Sequence, residues 1–407
     1  MPDRVTLADV RAARDLLDGV AVRTPMQSSR WLSSLVGGPV HLKAENLQRT
    51  GSFKIRGAYV RMSELSEEER ARGVVAASAG NHAQGVALAA QLLGIKARVY
   101  MPEGAPIPKL NATRGYGAEV VFHGSYLHEA LTEAIAYAER TGAVLIHPYD
   151  HPAVVAGQGT AGLEILEQAP EARTILVSLG GGGYAAGVAL AVKEQCREEG
   201  RPEPRVVAVQ AEQAAAYPAS LAAGHPVPLT EMHTMADGIA VGTPGEVPFA
   251  AIEEYVDEVV TVSEESMSRA MVLLLERAKL VVEPAGAAAV AAVLDDPTRW
   301  ETPAVAILSG GNVDPLLMGK LIRHGMAAAG RYLQLHVLIP DVPGGLAELL
   351  RRLAEAGANV MDVAHERVSM QLHLDEVAVR LQLETRGAEH AEALVARLRD
   401  QGYAVSE

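Results

Sequence analysis

Apolar residues arrive along most of this chain in short continuous runs, separated by stretches where they recur every three or four positions. The runs Val74–Ala77, Ala97–Met101, Glu119–Phe122, Val144–His147, Thr174–Leu179, Val206–Gln210 and Ala304–Leu308 read as buried strands. Between them, Ala83–Leu93, Ser125–Thr141, Gly159–Gln168 and Glu264–Ala278 read as helices. An earlier helix, Thr6–Leu17, sets Leu7, Val10, Ala13 and Leu17 on one face, with Thr6 as its cap. Strands alternating with helices predict an α/β fold with open, mostly parallel sheets.

Near Gly330 the rhythm changes. In Tyr332–Ile339, Leu333, Leu335, Val337 and Ile339 share one face and Gln334 and His336 take the other. The segment Pro340–Gly345 forces a turn, and Leu346, Leu349, Leu350 and Leu353 follow at helical spacing. Val360–Val368 is a second strand. A third alternates Val377, Val379, Leu381 and Leu383 against Arg380, Gln382 and Glu384. Ala391, Leu394, Val395 and Leu398 make another helical face, and Tyr403–Val405 a last strand. This β-α-β-β-α-β order predicts a ferredoxin-like sandwich with a half-covered antiparallel sheet. The expected domains are therefore 1–330 and 331–407, with a smaller lobe over roughly 50–155 in the first.

Composition narrows the class. A net charge of −14 argues against a nucleic-acid or anionic-membrane surface, which needs clustered Lys and Arg. No apolar run approaches the ~18 residues of a membrane span. The start, Met1-Pro2-Asp3-Arg4, does not read as a signal peptide. The lone cysteine, Cys196, excludes an intramolecular disulfide and fits a reducing compartment, so the expectation is a cytoplasmic protein.

Four segments could carry chemistry. Lys54 stands among small and apolar neighbours in Gly51-Ser52-Phe53-Lys54-Ile55-Arg56-Gly57-Ala58. One lysine among 36 Lys and Arg proves nothing alone. Ser78-Ala79-Gly80-Asn81-His82 lies between a strand and a helix, where free backbone N–H groups attract an anion such as a carboxylate. Gly180, Gly181, Gly182 and Gly183 occupy a second strand-to-helix turn and let amides curl around a phosphate. A dinucleotide fingerprint would need glycine at Tyr184, and a P-loop lysine at Val188, so a compact phosphate ester fits better. Ser309-Gly310-Gly311-Asn312 follows another strand and presents a hydroxyl to the crevice where open sheets bind ligands. Each segment alone also reads as an ordinary turn. Together, an anion site, a phosphate site, a neutral hydroxyl and a lysine match what pyridoxal phosphate requires.

These motifs, with Glu283-Pro284-Ala285-Gly286, resemble those of the threonine dehydratases (threonine ammonia-lyases). These are fold-type II pyridoxal-phosphate enzymes, two-lobed like the tryptophan synthase β chain, and the tail resembles an ACT-type regulatory domain. The resemblance covers essentially the whole chain. It implies that Lys54 carries the cofactor as a Schiff base, that Phe53 lies beside the ring and that Asn81 bonds the phenolic oxygen. It further implies that Gly180 to Gly183 hold the phosphate, Ser309 meets the ring nitrogen, and Glu283 lies near the cofactor. The substrate carboxylate falls to Ser78, Ala79, Gly80, Asn81 and His82. Leucine usually follows the glycine run; here Tyr184 does. The implied reaction is dehydration and deamination of L-threonine to 2-oxobutanoate and ammonia, or of L-serine to pyruvate, by an oligomer, dimeric or tetrameric. Displaced by the incoming amine, Lys54 becomes a base beside Cα, helped by desolvation.

The serine racemases of this fold, the competing enzyme class, carry serine where Ala79 stands; a methyl donates no proton, so elimination is favoured. Their acidic metal pair would need an acid at Pro218 beside Glu212, and none is there, which leaves Glu212 only backbone carbonyls as partners for a cation. His147 and His151 have helical metal spacing, but Pro148 and Pro152 argue against a regular helix, so no metal is expected. In the tail, Asp341, Gly344, Gly345 and Leu346 mark the segment where such modules hold an amino-acid effector, with isoleucine or valine expected for an enzyme feeding branched-chain synthesis. The third reading is a catalytically silent amino-acid-binding regulator.

Overall fold

The two patterns end in two compact units of the computed structural model, Met1–Asp314 and Pro315–Glu407. It describes residues 4–328, 330–366 and 375–406. Met1 to Asp3 of the N-terminal reading, and Arg367 and Val368 of the expected second tail strand, lie outside the described residues. The division precedes the change of rhythm at Gly330 because the helix Pro315–Ala328 packs with the first strand of the second unit.

The first unit holds β1 (Met26–Ser28), β2 (Val40–Lys43), β3 (Val74–Ala77), β4 (Ala97–Met101), β5 (Glu119–Phe122), β6 (Val144–Leu145), β7 (Thr174–Ser178), β8 (Arg205–Ala211), β9 (Glu258–Val262) and β10 (Ala304–Ile307). They form two sheets. One is parallel throughout, in the order β5-β4-β3-β6. The other runs β1-β2-β10-β7-β8-β9 and is parallel except for β1. All five residues of β7 are buried, as a strand covered on both faces requires. Strands β2 and β9 of the same sheet escaped the sequence reading, as did β1, being short or mixed in polarity.

Several element ends differ from expectation for local reasons. The strand expected to reach His147 stops at Leu145, ahead of Pro148. The expected helix at Gly159 begins at Pro152, because a proline at the first helical position has no N–H to lose. His151 caps it, Nδ1 accepting from the Ala153 amide at 3.1 Å. The helix expected at Ser125 begins at Leu127, since the Glu129 carboxylate takes the Ser125 and Tyr126 amides. The stretch 264–278 is an α-helix to Leu273 and a π-turn beyond.

The second unit adds β11 (Tyr332–Pro340), β12 (Asn359–Glu366), β13 (Glu376–Glu384) and β14 (Ala404–Ser406), with helices Gly345–Glu355 and Ala388–Asp400. The sheet is antiparallel in the order β12-β13-β11-β14, the ferredoxin-like arrangement. Its buried face pairs Leu335 with Leu381, Val337 with Val379 and Ile339 with Val377, and Leu349, Leu353, Leu394 and Leu398 cover it.

Candidate functional site

Lys54 opens the helix Lys54–Ser63, and the chain before it is sewn to the loop after β10. Asn46 N donates to Leu308 O at 2.8 Å, Phe53 N to Ser309 O at 3.2 Å and Gly311 N to Gly51 O at 2.9 Å. Thr50, buried, takes φ +64° to make the turn, and its carbonyl accepts from Asn312 Nδ2 at 2.6 Å. Below, the helix is anchored by buried charges. The Arg56 guanidinium holds Glu45 through two bonds of 2.8 and 2.9 Å and Glu164 at 2.7 Å, and Lys43 reaches Glu164 at 2.5 Å. A methyl at Gly85 would stand 3.0 Å from the Lys54 carbonyl carbon, so the facing helix Asn81–Leu93 approaches as closely as only glycine allows.

The chain then brings the expected residues to one cavity of about 510 Å³. Its walls include Phe53, Lys54, the loop Ser78–His82 after β3, Gly180 to Gly183 after β7, Glu283 and Ser309. Both parallel sheets therefore aim strand C-termini at the same space. Lys54 Nζ donates to Pro148 O at 3.0 Å and sits 5.1 Å from the Phe53 ring centre. Burial lowers its proton affinity to about 8, partly opposed by the Glu283 carboxylate. Asn81 Nδ2 donates to Glu283 Oε1 at 2.5 Å, and Asn81 Oδ1 accepts from Asn312 Nδ2 at 2.8 Å. Burial, then the Asp237 charge, pushes Glu283 up to about 7 against Lys109, Asn81 and Lys54. Its Oε2 is buried with no hydrogen-bond partner among the described residues. His82 Nε2 lies 2.8 Å from Ile146 O, and burial with the Lys54 charge lowers the ring to about 3, so it is a neutral donor.

Phe53 stacks flat on Tyr184, ring centres 3.9 Å apart and planes 6° from parallel. The Tyr184 hydroxyl is buried without a hydrogen-bond partner among the described residues. Ser309 Oγ makes a long bond of 3.4 Å to Ala285 O, so most of its capacity faces the cavity.

Sequence reading missed four contributors. His147, Pro148 and Tyr149 line the cavity after β6, and the signal was available: they follow a strand in the same series as the three named loops. His147 Nδ1 accepts the Asp150 amide at 2.8 Å, which uses the lone pair a metal would need. The fourth is the ion pair of Lys109 with Asp237, far apart in sequence and without a motif. Asn312 was quoted only as part of a motif, yet it braces both Thr50 and Asn81.

The residues fit the group they were expected to hold. Gly182 has φ +105°, and a Cβ there would collide with the Tyr217 hydroxyl at 2.0 Å. At Gly180 and Gly183 a side chain would meet Ile239 Cα at 2.9 Å and Tyr149 O at 2.8 Å. The turn therefore presents bare amides ahead of the helix Gly183–Glu199, the cradle a phosphate needs.

In the second unit, Asp341, Gly344 and Leu346 border a hollow of about 380 Å³ with Val342, Leu350 and His365. Gly345 stands at the helix start beside it. The Asp341, Val342 and Gly345 amides donate to Asp375, Pro340 and Val342 carbonyls, so part of the amide set expected for a ligand carboxylate is consumed within the fold.

Comparison with known proteins agrees across the chain. A family described as "Pyridoxal-phosphate dependent enzyme" matches residues 17–310. An L-threonine ammonia-lyase of Thermotoga maritima is 45% identical over 401 residues, 98% of this chain and 99% of that protein. One from Geobacter sulfurreducens is 45% identical over 97% of this chain and 98% of its own length. Among solved structures, a threonine deaminase from T.th. superposes with TM-score 0.71 at 44% identity, covering 76% of this chain and 99% of that one. Maize serine racemase gives TM-score 0.73 at 34% identity over 80% and 98%. The extent of these matches, falling on the segments that build the cavity, settles the family: the chain belongs to the pyridoxal-phosphate dependent enzymes.

Proposed function

We propose that the protein is an L-threonine ammonia-lyase, converting L-threonine to 2-oxobutanoate and ammonia and L-serine to pyruvate and ammonia. The observation that carries this reading is Lys54, a lysine of lowered proton affinity lining the same cavity as a carboxylate-type loop and a phosphate-type cradle. Full-length relatives named L-threonine ammonia-lyase support it.

Pyridoxal phosphate, when bound, supplies an electron sink for bonds at the substrate's Cα. In this reading Gly180 to Gly183 would hold its phosphate, Lys54 its aldehyde carbon, Asn81 the phenolic oxygen and Ser309 the ring nitrogen. Phe53 would lie beside the ring, and Glu283 steadies Asn81. The amides of Ala79, Asn81 and His82, with the Ser78 hydroxyl, would orient the substrate carboxylate, whereas the Ser78 and Gly80 amides already donate to Tyr100 O and Ser78 Oγ at 3.1 Å. Once freed, Lys54 Nζ takes the Cα proton, which its desolvated state suits it to do near neutral pH. The β-hydroxyl then leaves as water, taking a proton back from the Lys54 ammonium, and hydrolysis of the remaining C–N bond yields the 2-oxo acid and ammonia. Ser309 is neutral and would not hold a proton on the ring nitrogen as a carboxylate would.

The second reading is a serine racemase, a class to which structures 34–36% identical to this chain belong. Ala79 weighs against it, because a methyl group cannot return a proton to the opposite face. The second unit reads as an ACT-type module, which its βαββαβ order supports, taking isoleucine or valine at the hollow beside Asp341, with the enzyme a homodimer or homotetramer in isoleucine synthesis.

The test is a 2-oxo acid assay on threonine and serine, with chiral analysis of recovered serine. Expected are 2-oxobutanoate, pyruvate and no D-serine. Lys54→Ala should lose at least ~10³-fold in rate and the lysine-dependent visible absorption band. An unchanged band in that variant, or D-serine as the sole product, sinks the proposal.

A further inference from the structure

Two links cross the cleft between the wall bearing Ser78–His82 and the wall bearing Glu283. The inner link is Asn81 to Glu283. The outer is the ion pair of Lys109, in the helix Ile107–Gly115, with Asp237, in the short turn Asp237–Ile239. The links are adjacent at both ends. Lys109 Nζ lies 3.8 Å from the Cβ position of Gly80, the residue before Asn81. On the other side, the Cβ position of Gly238, the residue after Asp237, lies 3.7 Å from Glu283 Oε1. Lys109 is only 7% exposed, and Asp237 lines the cavity. Burying a lysine is costly unless it is paired, and the reaction derived above uses neither group.

We propose that Lys109 and Asp237 are positioning residues, an outer ion pair that sets the charge on Glu283 and, through it, the hold on Asn81. The charged groups facing Glu283 are Lys54 at the start of its helix, Lys109 and Asp237. Asp237 favours the protonated carboxyl and Lys109 the carboxylate. They act in opposite senses, Asp237 the more strongly, so removing either shifts the field at Glu283, and in opposite directions. The charge matters because a carboxylate accepts the Asn81 bond about twice as strongly as a neutral acid. Asn81 is shared with Asn312, so a weaker hold lets the amide that faces the cavity shift. Glu283 Oε2 is the free site where the proton can reside.

The inference deepens the proposed function, but its test uses no amino acid and so does not depend on the choice of substrate. The full-length protein loaded with pyridoxal phosphate is titrated in an infrared cell. The protonated-carboxyl band of Glu283 is assigned by its disappearance in Glu283→Gln. Lys109→Met should raise the midpoint and Asp237→Asn lower it, each by ~1 unit, a tenfold change in proton affinity. Lys109→Arg, which keeps the charge, should restore the wild-type midpoint. The Asp237 side chain is 56% exposed, so its asparagine variant disturbs packing least, and its downward shift alone decides the sign if Lys109→Met fails to fold. Midpoints that stay put, or that move the same way in both variants, overturn the proposal.

Discussion

Lys54 and Glu283 show how far residue identity goes. The motif around Lys54 was readable, but a lysine's proton affinity is set by what surrounds it. Here those surroundings are the Phe53 ring, the Pro148 carbonyl and a carboxylate 229 positions along the chain. Glu283 gives a test in the cofactor-free protein. Its folded value of about 7 lies above the ordinary 4.5, so the fold prefers the protonated acid. That contribution is complete below about pH 4.5 and is lost as pH rises through about 7. Glu283→Gln should therefore gain melting temperature relative to wild type progressively between about pH 4.5 and 7 and keep that gain above it. Parallel melting curves across that window would refute the raised value. No pattern of residue types announces this, because burial beside Asp237 is a tertiary fact.

At the scale of elements, pattern and structure part at the ends and at what lies between helices. Strands β3 and β4 coincide with their predicted runs because their buried apolar residues stop at Ser78 and at Pro102, and β5 coincides too, although at the sheet edge its Glu119 and Phe122 are exposed. The helix Pro152–Gln168 was started seven residues late, since Pro152 reads as a breaker until its position at the helix start is known. The Lys43–Glu45–Arg56–Glu164 cluster was not foreseen; its members come from β2, two helices and a short turn, with no shared spacing. Because Arg56 is 1% exposed, Arg56→Met strands Glu45 as an unpaired buried charge. The expected loss is about 3–5 kcal/mol, read from the denaturant midpoint. A loss below about 1 kcal/mol would mean the cluster does not anchor the helix that bears Lys54.

At the scale of the whole molecule, the two units answer to different patterns. The first is two mostly parallel sheets whose strand ends meet at one cavity; the second is a half-covered antiparallel sheet with its own core. If the second unit is an effector module, isoleucine or valine should raise the melting temperature of the full chain and lower its threonine turnover. Neither change with any amino acid would leave that unit a structural element alone. The sequence by itself determined the alternation of strands and helices, the change of rhythm in the tail, and the lysine, glycine-run and serine motifs. These are local properties, carried by apolar periodicity and by residues whose backbone or chemistry is distinctive. Only the tertiary structure decided that the loops face one another from two sheets, that Lys109 and Asp237 cross the cleft, and that Asn312 braces Asn81. Distances between residues remote in the chain are set by packing, and so are the burial and charge that tune Lys54 and Glu283.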